Sequence, residues 1–285
     1  MRLLTAEALK LRRRWATYLV LLMLIALMAL IYLLVGLSAS AGPMGAAAVL
    51  RFPGSYGFLN QFVFGLGSLL AVAYAAAIAG ADWNWGVFRV VVARGESRTR
   101  YVVIKFIAVA IFLVLGILIA YAAGIALTVL AGAMGGVAVG DPLGGGAGED
   151  LARSLGFGAL VVVERAALGF AVAMLLRSQL AGVVTGIVLF IGEQILATVV
   201  LVTTLAGRGF QDDLAPIGPE WFQFLPFSIG DSVLAEAPGV GGGGPGADLI
   251  LRSVPLDLAI LVTVLYLVGS LVLASASAER TQISG

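Results

Sequence analysis

Long apolar runs separated by polar or glycine-rich segments set the pattern of the chain. Six runs stand out, at approximately 15–37, 56–80, 101–131, 155–176, 181–206 and 256–276. A helix needs about 20 predominantly apolar residues to cross a hydrocarbon core of about 30 Å. All six meet that length, and the third is long enough to tilt or to extend past the bilayer. The pattern predicts an all-α integral membrane protein, a single transmembrane domain over 1–285 with six spans. The first run has a basic start and is followed by the small residues Ser38, Ala39, Ser40 and Ala41, as a signal peptide would be. It is too long for a signal core of about 7–15 residues, so it reads as a retained span.

Residues 1–14 precede the first span as an interfacial helix. Leu4, Ala8, Leu11 and Trp15 fall on one stripe, while Lys10, Arg12, Arg13 and Arg14 can reach anionic headgroups. Basic residues orient the spans. Six spans put both termini on one side, which collects Arg2, Lys10, Arg12, Arg13, Arg14, Arg89, Arg94, Arg98, Arg100, Lys105, Arg177 and Arg280. The other side holds Arg51, Arg153, Arg208 and Arg252. That bias places both termini in the cytoplasm. Asp141, Glu149, Asp150, Asp212, Asp213, Glu220, Asp231, Glu236 and Asp248 then all fall outside.

The outer loops differ in character. Residues 132–150 and 237–247 are rich in glycine and read as flexible connectors. Within the 207–250 loop, EWFQFLPF gathers Trp221, Phe222, Phe224, Leu225 and Phe227 around Pro226, and Asp231 is placed to cap a short helix. Such an aromatic cluster suits the outer interface or the flank of the spans. The two halves show no matching glycine- or proline-broken segments, which argues against an inverted-repeat transporter.

Composition narrows the chemistry. Hydrophobic residues make up 61% and charged residues 12%, against about 25% charged in a soluble domain. The formal net charge of +1 creates no field that would attract nucleic acid. There are no cysteines and no histidines, which removes disulfides, Cys/His metal sites, and nucleophiles paired with histidine. An intramembrane enzyme is correspondingly disfavoured. The only lysines are Lys10 and Lys105, and neither completes a phosphate-binding P-loop. If ATP drives this protein, a different chain binds it.

Three charges fall inside predicted spans: Glu164 and Arg165 in the fourth, Glu193 in the fifth. A charge at the bilayer centre costs about 2.5–3.5 kcal/mol on insertion scales. A tight turn near Ser178 would bring Arg165 and Glu193 to nearly equal depth, so the geometry predicts an Arg165–Glu193 ion pair with Glu164 left over. The trio serves either as an interhelix clamp or as the polar wall of a substrate path or proton relay centred on Glu164. Gly182 and Gly186 supply a small-xxx-small step for close packing of the fifth span.

Between the second and third spans lies DWNWGVFRVVVARGESRTR, residues 82–100. Asp82 is a suitable N-cap, and residues 83–93 can run as a helix with Trp83, Val87, Val90 and Val91 on its apolar face. Gly95 suits a helix stop, and Ser97 can cap the third span, whose inner end carries Arg98, Arg100 and Lys105. Without a partner, this would be an amphipathic helix held on anionic lipid.

This arrangement resembles the permeases of type-2 ABC exporters, also called type V. They have a basic N-terminal helix, six spans, and a coupling helix after the second. Their loop carries an acid, a Gly-Thr pair, an arginine, an Arg/Thr-Pro-x-Ser-Arg stretch, and a lysine near the third span. Asp82, Gly86, Arg89, Arg94, Ser97, Arg98 and Lys105 match in order, while Val87 replaces the usual threonine and Gly95 the usual proline. Pro226 before a short helix and the last span is similar too.

The resemblance implies a permease of an ATP-binding cassette exporter in a bacterial plasma membrane. It would act as a homodimer or with a related permease, together with two ATPase subunits that bind ATP and magnesium. This chain would bind no cofactor. Residues 82–95 would form the coupling helix, with Asp82, Trp83, Gly86, Arg89, Arg94 and Arg98 meeting the ATPase. The apolar spans favour an amphipathic cargo. The alternative is a membrane scaffold or regulator that recruits a cytoplasmic partner through the same helices and transports nothing.

Overall fold

The computed structural model describes residues 2–39, 49–87, 97–144, 147–207, 220–235 and 254–280. Helix α1 covers Arg2–Arg13 and α2 covers Trp15–Ala39. Helix α3 runs over Ser55–Asn84, with a π-helical stretch at Gln61–Leu66. Helix α4 spans Arg98–Gly135, α5 Ala147–Leu176 and α6 Gln179–Gly207. A 3-10 turn at Glu220–Phe224 leads into α7, Pro226–Ala235, and α8 covers Leu256–Glu279. No strand occurs among the described residues.

Helices α2, α3, α4, α5, α6 and α8 are long and apolar enough to cross a membrane, in the order the hydropathy pattern predicts. Most run past the apolar stretches, because main-chain hydrogen bonding continues into the polar interface where hydropathy falls away. The outward sides of α2, α6 and α8 are apolar and exposed, as at Leu22, Leu34, Val188, Ile195, Leu265 and Val272. Lipid is a suitable solvent for such faces, and water is not.

Helix α5 is the hub and touches α3, α4, α6, α7 and α8. Small residues permit that density. A Cβ built on Gly182 would lie 2.4 Å from the Ala173 Cβ, so the small-xxx-small step does bring α6 against α5. The α5–α6 turn is as tight as expected. Arg177 takes a left-handed φ of 51°, and the Ser178 hydroxyl accepts a 3.3 Å hydrogen bond from the Ala181 N–H. Helix α3 presses on this turn, where a Cβ on Gly80 would come within 2.4 Å of the Gln179 Cα.

Helix α1 packs on α4, with Leu4 and Ala8 partly buried and Leu11 2% exposed. Trp15 does not complete the stripe. It is 81% exposed because the chain bends at Arg14 and restarts as α2. The first Gly-rich connector departs from a featureless loop where it is described. Residues 132–135 continue α4, residues 147–150 open α5, and the Phe52 N–H donates to the Val139 carbonyl at 2.9 Å. The 237–247 connector lies outside the described residues.

Valine at Gly80 should drive its side chain into main-chain atoms that have no room to move. We expect a loss of about 1–3 kcal/mol in thermal unfolding of the purified protein. Valine at Gly192, where a Cβ meets nothing within 4 Å, should leave the unfolding temperature unchanged.

Candidate functional site

Halfway along α5, Arg165 is 1% exposed and Glu164 fully buried. The Arg165 guanidinium donates to Asp231 Oδ1 at 2.5 Å, to the Phe227 carbonyl at 2.9 Å and to the Ser68 hydroxyl at 3.1 Å. It also lies over the Phe190 ring, 5.6 Å from the centroid. Every contact has a structural source. Ser68 comes from α3 just past its π-helical stretch, Phe190 from α6, and Phe227 and Asp231 from α7. The short helix α7 therefore reaches into the bundle, where Gly230 lets it lie against the guanidinium.

The expected Arg165–Glu193 ion pair does not form. Glu193 Oε1 instead accepts the main-chain N–H groups of Phe227 and Ser228, at 2.9 and 2.5 Å. These donors open α7 and have no partner within the helix, so a carboxylate there satisfies them and meets the positive end of the helix dipole. Asp231 accordingly does not cap that helix. It sits inside α7, pairs with Arg165, and accepts a further bond from Gln194 Nε2 at 3.3 Å. Sequence spacing found the depth of Glu164, Arg165 and Glu193 but missed Asp231, Ser68 and Gln194. Asp231 lies 66 positions from Arg165 in a segment read as an outer loop.

Both Glu164 oxygens are buried without a hydrogen-bond partner. The Glu193 and Asp231 carboxylates lie within its electrostatic reach. The cluster can bind a proton or a polar group of a passing molecule at Glu164, while the other three charges hold α5, α6 and α7 together.

A second cluster occupies the end of the bundle where α1 lies. Asp82 is 6% exposed and does not cap a loop helix, because α3 continues to Asn84. Its carboxylate accepts from Tyr101 at 2.5 Å and pairs with buried Lys105, both on α4. Trp83 also belongs to α3. Its indole N–H points at the Met174 sulfur, 3.4 Å away, and Arg177 stacks on its ring at 5.8 Å. The helix stops at Gly86, whose φ of 65° is the left-handed geometry that glycine adopts freely. Val87 is helical again, but Arg89, Arg94 and Gly95, with the rest of 88–96, lie outside the described residues. At Ser97 the expected cap is present, accepting from the Arg100 N–H at 3.4 Å. Arg98 donates to the Ala278 and Glu279 carbonyls at 3.2 and 3.0 Å, which satisfies the end of α8.

In the outer aromatic cluster, Phe222 and Phe227 are buried against the bundle, while Trp221 and Phe224 stay exposed. Packing on the spans and exposure to the interface thus divide between its members.

The family model for ABC-2 family transporter proteins matches residues 3–193 of the chain. Over two thirds of its length, from α1 to Glu193, the chain carries that family's pattern, and it belongs to this family of membrane permeases. No curated protein matches it.

Removing one partner of a buried ion pair leaves an uncompensated charge, at a cost of about 3–5 kcal/mol. Asp231→Asn should therefore lower the unfolding temperature sharply. Glu193→Gln keeps an acceptor for the α7 amides and should lose only about 1 kcal/mol. Equal losses in a thermal-shift comparison would contradict this assignment of partners.

Proposed function

We propose that the chain is the membrane-spanning subunit of an ATP-binding cassette exporter. Two copies, or one copy and a related permease, would pair with two ATPase subunits that bind ATP and magnesium. Membership of the ABC-2 transporter family carries this reading. The six candidate spans agree with it. The basic residues favour an orientation with both termini in the cytoplasm, and the family resemblance implies a bacterial plasma membrane. On that orientation, the segment between α3 and α4 faces the compartment where ATP is found.

The coupling segment would meet its ATPase through Arg89 and Arg94, since arginine and tryptophan are favoured at such interfaces. The other expected contact residues divide. Asp82 is buried in an ion pair and would act by holding the segment's root, whereas Trp83, Gly86 and Arg98 are partly accessible. The apolar outer face of α6, with Val184, Val188 and Ile195, offers a surface for a second permease or for lipid. A substrate path would cross the bundle past the polar group of Glu164, and an amphipathic cargo suits its apolar surroundings.

Co-expression with an ABC ATPase tests the reading. The two chains should co-purify, and ATP hydrolysis should depend on both. Arg89→Glu combined with Arg94→Glu should reduce co-purification about tenfold or more while the permease remains folded, because like charges at an interface cost several kcal/mol. Undiminished co-purification would remove the coupling role from residues 88–96.

A further inference from the structure

The helices α2 and α4 touch closely at one end and part at the other. Near the acid-rich end, a Cβ on Gly36 would lie 2.9 Å from the Ala131 carbonyl oxygen, so the helices meet there at main-chain distance. Towards α1 they diverge and leave a groove of about 200 Å³, floored by α3. Its walls are apolar, with Leu21 and Leu24 on α2, Leu70 on α3, and Leu113 and Gly116 on α4. The groove opens sideways between α2 and α4, where lining residues Tyr18, Leu115 and Ile119 are 52%, 49% and 52% exposed. A Cβ on Gly116 meets nothing within 4 Å, so the groove has free space at that point.

Length and charge indicate what fits. From Val63 to Tyr74 the α3 floor takes 11 helical steps, about 16 Å at 1.5 Å per residue. Half a hydrocarbon core is about 15 Å. At its α1 end the groove reaches Thr17 and Tyr18, just past the Arg12–Arg13–Arg14 elbow. The Tyr18 hydroxyl donates to the Arg12 carbonyl at 2.8 Å, and Thr17 bonds the Tyr74 hydroxyl at 2.9 Å, so the elbow is fixed against the mouth. Arg12 and Arg13 are exposed, and Arg14 rests on the Trp85 ring at 5.3 Å. None of the three has a carboxylate partner among the described residues, and nearby Glu7 is taken by Lys10. Three arginines at the interface attract an anionic headgroup.

We propose that this groove holds one acyl chain of a resident anionic phospholipid, whose phosphate is gripped by Arg12, Arg13 and Arg14. The lipid fills the wedge between the diverging helices and ties the α1–α2 elbow to the membrane.

The test is lipid retention by native mass spectrometry after delipidation in detergent. Phosphatidylglycerol or phosphatidylethanolamine with identical acyl chains is added back to the full chain. The expected result is one tightly held phosphatidylglycerol per chain, with phosphatidylethanolamine retained about tenfold less. Gly116→Leu, whose Cβ would meet nothing within 4 Å, and Ile119→Trp at the mouth of the groove should each lower retention about tenfold. So should the combined Arg12→Gln, Arg13→Gln and Arg14→Gln variant, while Gly192→Leu on α6 should not. Either plug that stays monodisperse and keeps the lipid at the parental level overturns the proposal. So does equal retention of the two headgroups, or loss on the arginine changes alone. Either result leaves the transport reading untouched, since no readout involves ATP.

Discussion

A guanidinium fixed in the middle of an apolar bundle is the constraint from which the rest of this architecture follows. No water is available in a hydrocarbon core, and an unpaired charge or main-chain group there is costly. Arg165 lies on the helix that touches nearly every other element, so its donors must be met by whatever those elements bring. The required acceptors come from α3, through Ser68, and from α7, through Phe227 and Asp231. The chain between α6 and α8 therefore cannot all remain at the surface. One short helix has to enter the bundle, and its own start then needs an acceptor, which Glu193 provides. One buried cation thus accounts for the depth of α7, the role of Glu193 and the requirement for a serine on α3.

This chain of requirements also explains which parts of the structure were legible in the sequence. Hydropathy reports where a helix lies in lipid, so all six spans were readable from it. Local rules found the tight turn at Ser178, the cap at Ser97 and the close approach at Gly182, because each depends on a few neighbouring residues. The partners of Arg165 depend on a contact across 66 positions, through a segment whose polar residues look like loop. Equal depth made Glu193 the natural choice, yet depth does not fix rotation about the helix axis. Asp82 failed for a related reason. A polar residue after an apolar run looks like the end of a helix, but burial against Lys105, 23 positions away, lets the helix continue past it.

The two polar clusters share a logic and differ in consequence. The Asp82–Lys105–Tyr101 group joins α3 to α4 below the loop that connects them, and α1 lies on the same helix α4. The Arg165 group joins α3, α5, α6 and α7 further along the bundle. Helix α3 contributes to both, through Asp82 at one end and Ser68 nearer the middle. Rigid elements transmit displacement well because packed interiors are not continuously deformable.

That arrangement bears on how energy would pass from an ATPase into the spans. The described residues on either side of 88–96 are anchored. Upstream, Trp83 is locked to Met174 and stacked under Arg177 at the α5–α6 turn. Downstream, Ser97 starts α4 and Arg98 grips the last carbonyls of α8. A force delivered to those flanks would reach α3, α4, the α5–α6 turn and α8 together. Helix α5 would then carry the displacement about 16 Å from Leu176 to Arg165, at 1.5 Å per residue. Coupling of this kind needs a two-state element at the far end. The cluster there is suited to be one, because both Glu164 oxygens and the Arg165 Nε are buried there without a hydrogen-bond partner.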